Sequence, residues 1–299
     1  MSDIKLFRTT KTSVKELASK SVSVEKSLQA LIERNMEAFF GVRFLASEYP
    51  TGKVHGGRID SLGLDENGCP VIFEYKRATN ENVINQGLFY LDWLMDHRAE
   101  FKLLVLETFG KKAAGEIEWS TPRLVCVAGD FKKYDEHAVQ QINRNIELVR
   151  YRRYGRELIL FELVNATTAE TTVGGNGSKQ QYKSVGQQLA EASEEVQDRF
   201  EAVKAFMVEL GDDVQMKELK FYFAFKRIKN FACVEIHKKA GSVLVYLKVD
   251  PSSIKLEKGF TRDVRKIGHF GTGDLEVVIQ SDDDFEKAKG LILKSYEVS

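Results

Sequence analysis

Between Arg58 and Arg77 two extended segments meet across a tight polar turn, and this pair constrains the fold more than any other stretch. Asp65-Glu66-Asn67-Gly68 carries the Asn-Gly pair that favours a hairpin, because such turns need positive φ. Val71, Ile72 and Phe73 form an apolar run suited to a buried strand, which then abruptly presents Glu74 and Lys76. Residues two apart on a strand share a face, so Glu74 and Lys76 point the same way. The turn pairs their strand with the one holding Asp60. Two carboxylates and an ammonium are therefore expected at one place on a sheet. A solvated surface hairpin also accommodates Glu-x-Lys; the aspartate on the preceding strand and the apolar run favour a site.

Asp60, fourteen residues and then Glu74-x-Lys76 resembles the PD-(D/E)xK nuclease superfamily, with Ile59-Asp60 standing where a Pro-Asp pair is usual. The resemblance implies a restriction-endonuclease-like mixed sheet flanked by helices and a Mg²⁺ or Mn²⁺ ion. Magnesium prefers hard oxygen ligands and usually takes one or two carboxylates, with water and substrate phosphate completing its shell. Asp60 and Glu74 are the expected ligands, with the carbonyl of Tyr75 as a backbone ligand. Lys76 is expected to orient or help deprotonate the attacking water and to offset the charge on the phosphorane.

The neighbouring segments extend this reading. Val24, Leu28, Leu31, Ile32, Met36 and Phe39 lie at helical spacing, with Ser23 as a cap and Gly41 as a stop. Glu33 and Glu37 sit one turn apart on that helix, and either can be a solvated side chain. Asn35 to Gly41 resembles an Asn-x-Glu stretch of NucS-like members of the superfamily, which favours Glu37 as a third carboxylate. Val42–Tyr49 reads as a strand, and the glycine-bearing turn 51–57 leads into the Asp60 strand. His55 and Arg58 are candidate phosphate contacts, or else a loop residue and an ion-pair partner. After Lys76, Arg77 is a further candidate contact. A helix near 82–97 carries Gln86 and Tyr90 on one face, resembling the Gln-x-x-x-Tyr motif of RecB-like nucleases; its Leu88, Leu91, Trp93 and Leu94 suit a core.

Arg123–Ala128 reads as a buried strand, and 146–151 and 158–164 as the last strands of a first domain of residues 1–165. Arg150, Arg152 and Arg153, interleaved with Tyr151 and Tyr154, suit either DNA backbone contact or a charged hairpin. Residues 166–186 are a Gly/Ser/Thr-rich linker. Residues 187–299 then form a smaller α+β domain: a long helix near 186–210, strands near 232–237, 243–249 and 275–279, and a closing helix. Lys226, Arg227 and Lys229, with Phe225 and Phe231, are either a nucleic-acid grip or a solvated loop. Thr261 to Leu275, including His269-Phe270-Gly271-Thr272-Gly273, resembles an uncharacterised C-terminal domain family sometimes labelled a predicted transport protein. No apolar run here is long enough to span a bilayer, which argues against that label. Gly271-x-Gly273 precedes a strand, so a tight turn is expected rather than a phosphate loop.

Composition narrows the classes. With 44 basic and 44 acidic residues the 299-residue chain has no bulk charge to coat nucleic acid, so any contact must be local. Three scattered cysteines, Cys69, Cys126 and Cys233, suggest neither a disulfide framework nor a zinc site. The amino terminus reads as lacking a signal segment, and a soluble cytoplasmic protein is expected. The five histidines show no metal-ligand spacing, and no serine elbow or Walker loop appears. The resemblance thus implies a metal-dependent DNA endonuclease in repair or defence, with DNA as partner, no membrane and a homodimer as an option. The competing class is a nucleic-acid-binding module without cleavage on the same fold.

Overall fold

The computed structural model describes residues 4–20, 25–76, 83–155, 157–167 and 184–299. A small hairpin, β1 (Leu6–Thr9) and β2 (Val14–Leu17), precedes the short β3 (Ser19–Lys20). Two helices follow, α1 (Glu25–Arg34) and α2 (Met36–Phe40), then β4 (Val42–Pro50), the single turn α3 (Gly52–His55), β5 (Arg58–Asp65) and β6 (Pro70–Lys76). Next come α4 (Val83–Asp96), α5 (Arg98–Gly115), β7 (Arg123–Ala128), α6 (Lys133–Gln140), β8 (Asn145–Tyr154) and β9 (Leu158–Ala166). They build one mixed sheet in the order β3-β8-β7-β6-β5-β4, with β9 also paired to β8.

The predicted hairpin is present: β5 and β6 pair antiparallel, Ser61 against Phe73 and Leu62 against Ile72, with Gly68 at φ 77° in the turn. Strands β6, β7 and β8 run parallel, which aligns Lys76, Ala128 and Arg150 at one edge of the sheet. A parallel strand must be covered on both faces. One face of the sheet packs Ile72, Leu124, Cys126 and Leu148 with Leu91, Trp93 and Leu94 of α4. The other packs Val71, Phe73, Tyr75, Val125 and Val127 with Leu28, Ile32, Met36 and Phe40 of α1 and α2.

The second sheet is entirely antiparallel. After α7 (Val185–Ala190) and α8 (Glu194–Glu209) come β10 (Gln215–Glu218), β11 (Phe223–Lys226), β12 (Asn230–His237), β13 (Ser242–Leu247), β14 (Thr261–Asp263), β15 (Leu275–Ile279) and α9 (Asp282–Glu297). Their order is β10-β11-β12-β13-β15-β14, and one face buries Phe225, Val234, Val245 and Val277 against Phe200, Val203 and Ile292. The long helix expected at 186–210 is two helices, because Ser193 takes extended backbone geometry and starts α8 afresh.

The two sheets meet at the amino ends of β6–β8, around buried charge. Arg123 donates to both oxygens of Glu147, at 2.9 and 2.7 Å, and to Asp65 at 2.8 Å. Lys226 of β11 reaches Glu147 at 2.7 Å, and Lys217 of β10 reaches Asn145 at 3.3 Å. Burial alone would raise the Glu147 carboxyl, but Arg123 and then Lys226 outweigh it and hold it well below the usual carboxylate range. Lys226 therefore belongs neither to a nucleic-acid grip nor to a solvated loop, and Arg227 beside it pairs with Asp213 at 2.7 Å. Phe225 and Phe231 are core residues. Nearer the hairpin turn, the Tyr222 hydroxyl donates to Asn67 Oδ1 at 2.9 Å and the Asn230 N–H to Glu66 at 3.0 Å.

Three cations, Arg123, Lys217 and Lys226, thus share two carboxylates, Asp65 and Glu147. Burial, then Lys226, lower the Lys217 ammonium from 10.5 to about 7, with Arg123 adding to the effect and Glu147 opposing it. Between those values the unfolded chain binds the extra proton and the folded chain does not, so stability should rise with pH from about 7 to about 10.5. Below that window the penalty is constant. Lys217→Met should raise stability at pH 7 and flatten this rise, measured as urea midpoints across the window; an unaltered slope would contradict the assignment. Cutting the chain between residues 168 and 183 should likewise leave two pieces that co-elute on gel filtration, because these contacts cross between the sheets. Pieces that separate at physiological salt would contradict it.

Candidate active site

The strand pairing sets Asp60 and Glu74 side by side. The Asp60 N–H donates to Glu74 Oε1 at 3.2 Å, and the Tyr75 N–H donates to Asp60 Oδ2 at 2.9 Å. Each carboxylate is thus oriented by the backbone next to the other. Lys76 closes β6 on the face of Glu74. Glu74 is completely buried, whereas Asp60 and Lys76 are half-buried.

Behind this pair lies a polar network that the sequence reading left unassigned. Gln29 of α1 donates to the Asp60 carbonyl at 2.8 Å and to Glu33 at 3.0 Å. The Ser61 hydroxyl donates to Glu33 at 2.6 Å, and the Tyr75 hydroxyl to Ser61 at 3.1 Å. Burial raises the Tyr75 phenol well above its ordinary value, a direction reinforced by Glu33, Asp60 and Glu74 and opposed by its bond to Ser61. Glu33, not Glu37, is therefore the helix carboxylate beside the hairpin strands. Glu37 is exposed and lines a cleft at the opposite end of the sheet, beside Gly41 and Glu66. The expected continuous helix breaks at Asn35 (φ −131°, ψ 23°), whose side chain donates back to Leu31 O at 2.9 Å, and this turns Glu37 away. The signal was Gln29 and Glu33 at i and i+4, a polar pair beside an apolar stripe.

Gln86 and Tyr90 do share a face, with Gln86 donating to the Tyr90 hydroxyl at 3.3 Å. That hydroxyl accepts the Arg58 N–H at 3.2 Å, two residues before Asp60. A side chain at Gly57 would collide with it, its Cβ falling 2.4 Å from the oxygen. Gln86 and Tyr90 thus clamp the entry to the Asp60 strand. The Arg58 side chain is exposed, and His55 packs on Phe89 at 4.7 Å and against His97 at 6.1 Å. Arg77 lies outside the described residues.

Arg150 is buried and held by Asp130 at 2.9 Å and Glu162 at 3.3 Å, so its guanidinium is a structural partner rather than a DNA contact. The reason is register: Arg150 sits opposite Glu162 on β9. Arg152 and Arg153 are half-buried, beyond Arg150 along β8 and at the same edge as Lys76. The three cysteines are buried and free, and among the described residues no group of three or more His, Cys, Asp or Glu is placed to hold a metal ion. Mg²⁺ commonly takes only one or two carboxylates, with water and phosphate supplying the rest.

Residues 185–299 match the family described as a domain of unknown function (DUF5655). An uncharacterised protein of Haemophilus influenzae is 25% identical over 304 residues, covering 97% of this chain and 98% of its own length. Among solved structures, a repair endonuclease from Pyrococcus abyssi is 20% identical, covers 46% of this chain and 50% of its own, and superposes with a TM-score of 0.29. EndoMS in a dsDNA2 complex is 21% identical, covers 48% and 49%, and gives a TM-score of 0.25. The chain spans about half the length of these solved chains. No helix among the described residues is long and apolar enough to cross a membrane.

Proposed function

We propose that the chain is a metal-dependent DNA endonuclease hydrolysing phosphodiester bonds at Asp60, Glu74 and Lys76. The observation that carries this reading is the juxtaposition of the two carboxylates, each fixed by an N–H beside the other. Asp60, Glu74 and the Tyr75 carbonyl would hold Mg²⁺ or Mn²⁺, which supplies charge neutralisation at the phosphate and a more acidic bound water. Lys76 orients the attacking water and offsets charge on the pentavalent phosphorus. Gln29 fixes the Asp60 backbone from behind, and Glu33 anchors Ser61 beside it. Tyr90 and Gln86 hold the preceding backbone. Among the described residues, Arg58, Arg152 and Arg153 are cations available to the DNA backbone near this edge.

Complete burial of Glu74 favours the second reading, a nucleic-acid-binding module without cleavage, because a metal carrying water and a phosphate needs an open coordination side. A cleavage assay decides between them. The chain, with and without Mg²⁺ or Mn²⁺, is offered labelled single-stranded, flapped, mismatched and duplex DNA, and RNA. Metal-dependent products that fall sharply in Lys76→Ala support the nuclease. Binding without products from any substrate supports the module.

A further inference from the structure

A cleft of about 610 Å³ opens between the hairpin turn 65–68 and the second sheet, a size typical of small-ligand sites. It lies at the amino end of β6, about 20 Å from Lys76 at ~3.3 Å per strand residue. One wall is the segment His269-Phe270-Gly271-Thr272, which the proposed nuclease chemistry leaves without a task. That segment is laid tightly on the sheet. Gly271 has φ 78°, and a Cβ there would fall 2.6 Å from the Cys233 sulfur; Gly273 has φ 144°, and its Cβ would fall 2.6 Å from the Leu247 nitrogen. The Phe270 N–H donates to Glu235 and the His269 ring stacks on Tyr246 at 4.3 Å. So fixed, the loop presents Phe270, 49% exposed and stacked on Phe221 at 4.4 Å, at the mouth of the cleft.

The charges around it suit one ligand chemistry. Asp65 and Glu66 are neutralised by Arg123 and Lys248. Arg43, Lys112 and Lys220 are exposed cations on the walls, while Glu37, Glu116 and Glu118 are the remaining acids. Aromatic rings take a nucleobase by stacking, cations take phosphate, and carboxylates accept from base amino groups. We propose that this cleft binds a nucleotide unit, its base on Phe270 and its phosphate between Lys112 and Lys220. The unit is either a free nucleotide or one residue of a strand, and the site is separate from Asp60 and Glu74.

The test is equilibrium binding by the full chain in EDTA, where hydrolysis is blocked. Nucleoside monophosphates form one arm and a fluorescent oligonucleotide the other. Phe270→Ala and the double variant Lys112→Glu/Lys220→Glu should each weaken binding about tenfold or more, with Ile267→Ala, an exposed residue of the neighbouring loop, as the unaffected control. Loss in the mononucleotide arm identifies a free nucleotide as sufficient, and loss in the oligonucleotide arm alone identifies a strand. Thermal midpoints close to wild type show that the variants fold. Absence of binding by the wild type in both arms, or binding unchanged in both variants, overturns the proposal. Cleavage does not enter this readout, so the result stands apart from the fate of the active-site reading.

Discussion

Glu147→Ala should cost the protein at least about 3 kcal/mol of stability, because removing one member of a buried ion cluster strands the others in a dry interior. Glu147 accepts from Nε and Nη2 of Arg123 and from the Lys226 ammonium, all at about one-hundredth to three-hundredths exposure. Without it, Arg123 keeps its bond to Asp65 while Lys226 loses its ion-pair partner. Because Lys226 enters from the second sheet, the loss should appear in both sheets at once. Urea unfolding followed by fluorescence and by far-UV dichroism should therefore shift together. Replacing the cluster with apolar residues of similar volume, Glu147→Leu with Arg123→Met and Lys226→Met, should recover much of the loss, since apolar packing often equals a buried ion pair. A Glu147→Ala protein within about 1 kcal/mol of wild type would show that the cluster is hydrated and weak.

The hairpin of Asp60 and Glu74 was legible in the sequence because its signals are local: an Asn-Gly turn, an apolar run and a period of two. The strands β4 and β7, and the Gln86–Tyr90 face of α4, were legible for the same reason. The carboxylate on the first helix was not: the Asn-x-Glu resemblance pointed to Glu37, whereas Asn35 interrupts the helix and Glu33 is the one bonded beside the hairpin strands. Arg150 stayed open between a DNA contact and a charged hairpin because its environment depends on strand register: only the pairing of β8 with β9 puts Glu162 opposite it. The buried cluster joins residues as distant as Asp65, Glu147 and Lys226, and a charge in an apolar strand announces burial without naming its partner. Glu147 between Ile146 and Leu148 was that signal, and it was also the one for an interface between the sheets.

Glu74→Ala is expected to abolish cleavage while DNA binding remains. In the proposed reading Glu74 would hold the metal, and its removal also takes a buried negative charge away from beneath the phosphate, so affinity should hold or rise slightly. Glu74 is buried in the core edge, so Glu74→Gln, of nearly equal volume, guards against mere unfolding. The decisive measurement is parallel cleavage and gel-shift assays on wild type, Glu74→Ala and Glu74→Gln with Mg²⁺, on one DNA substrate cut by the wild type. The expected result is products from wild type alone, with all three proteins shifting the DNA comparably. Robust metal-dependent cleavage by both Glu74 variants, from preparations free of contaminating nuclease, would place the chemistry elsewhere in the molecule.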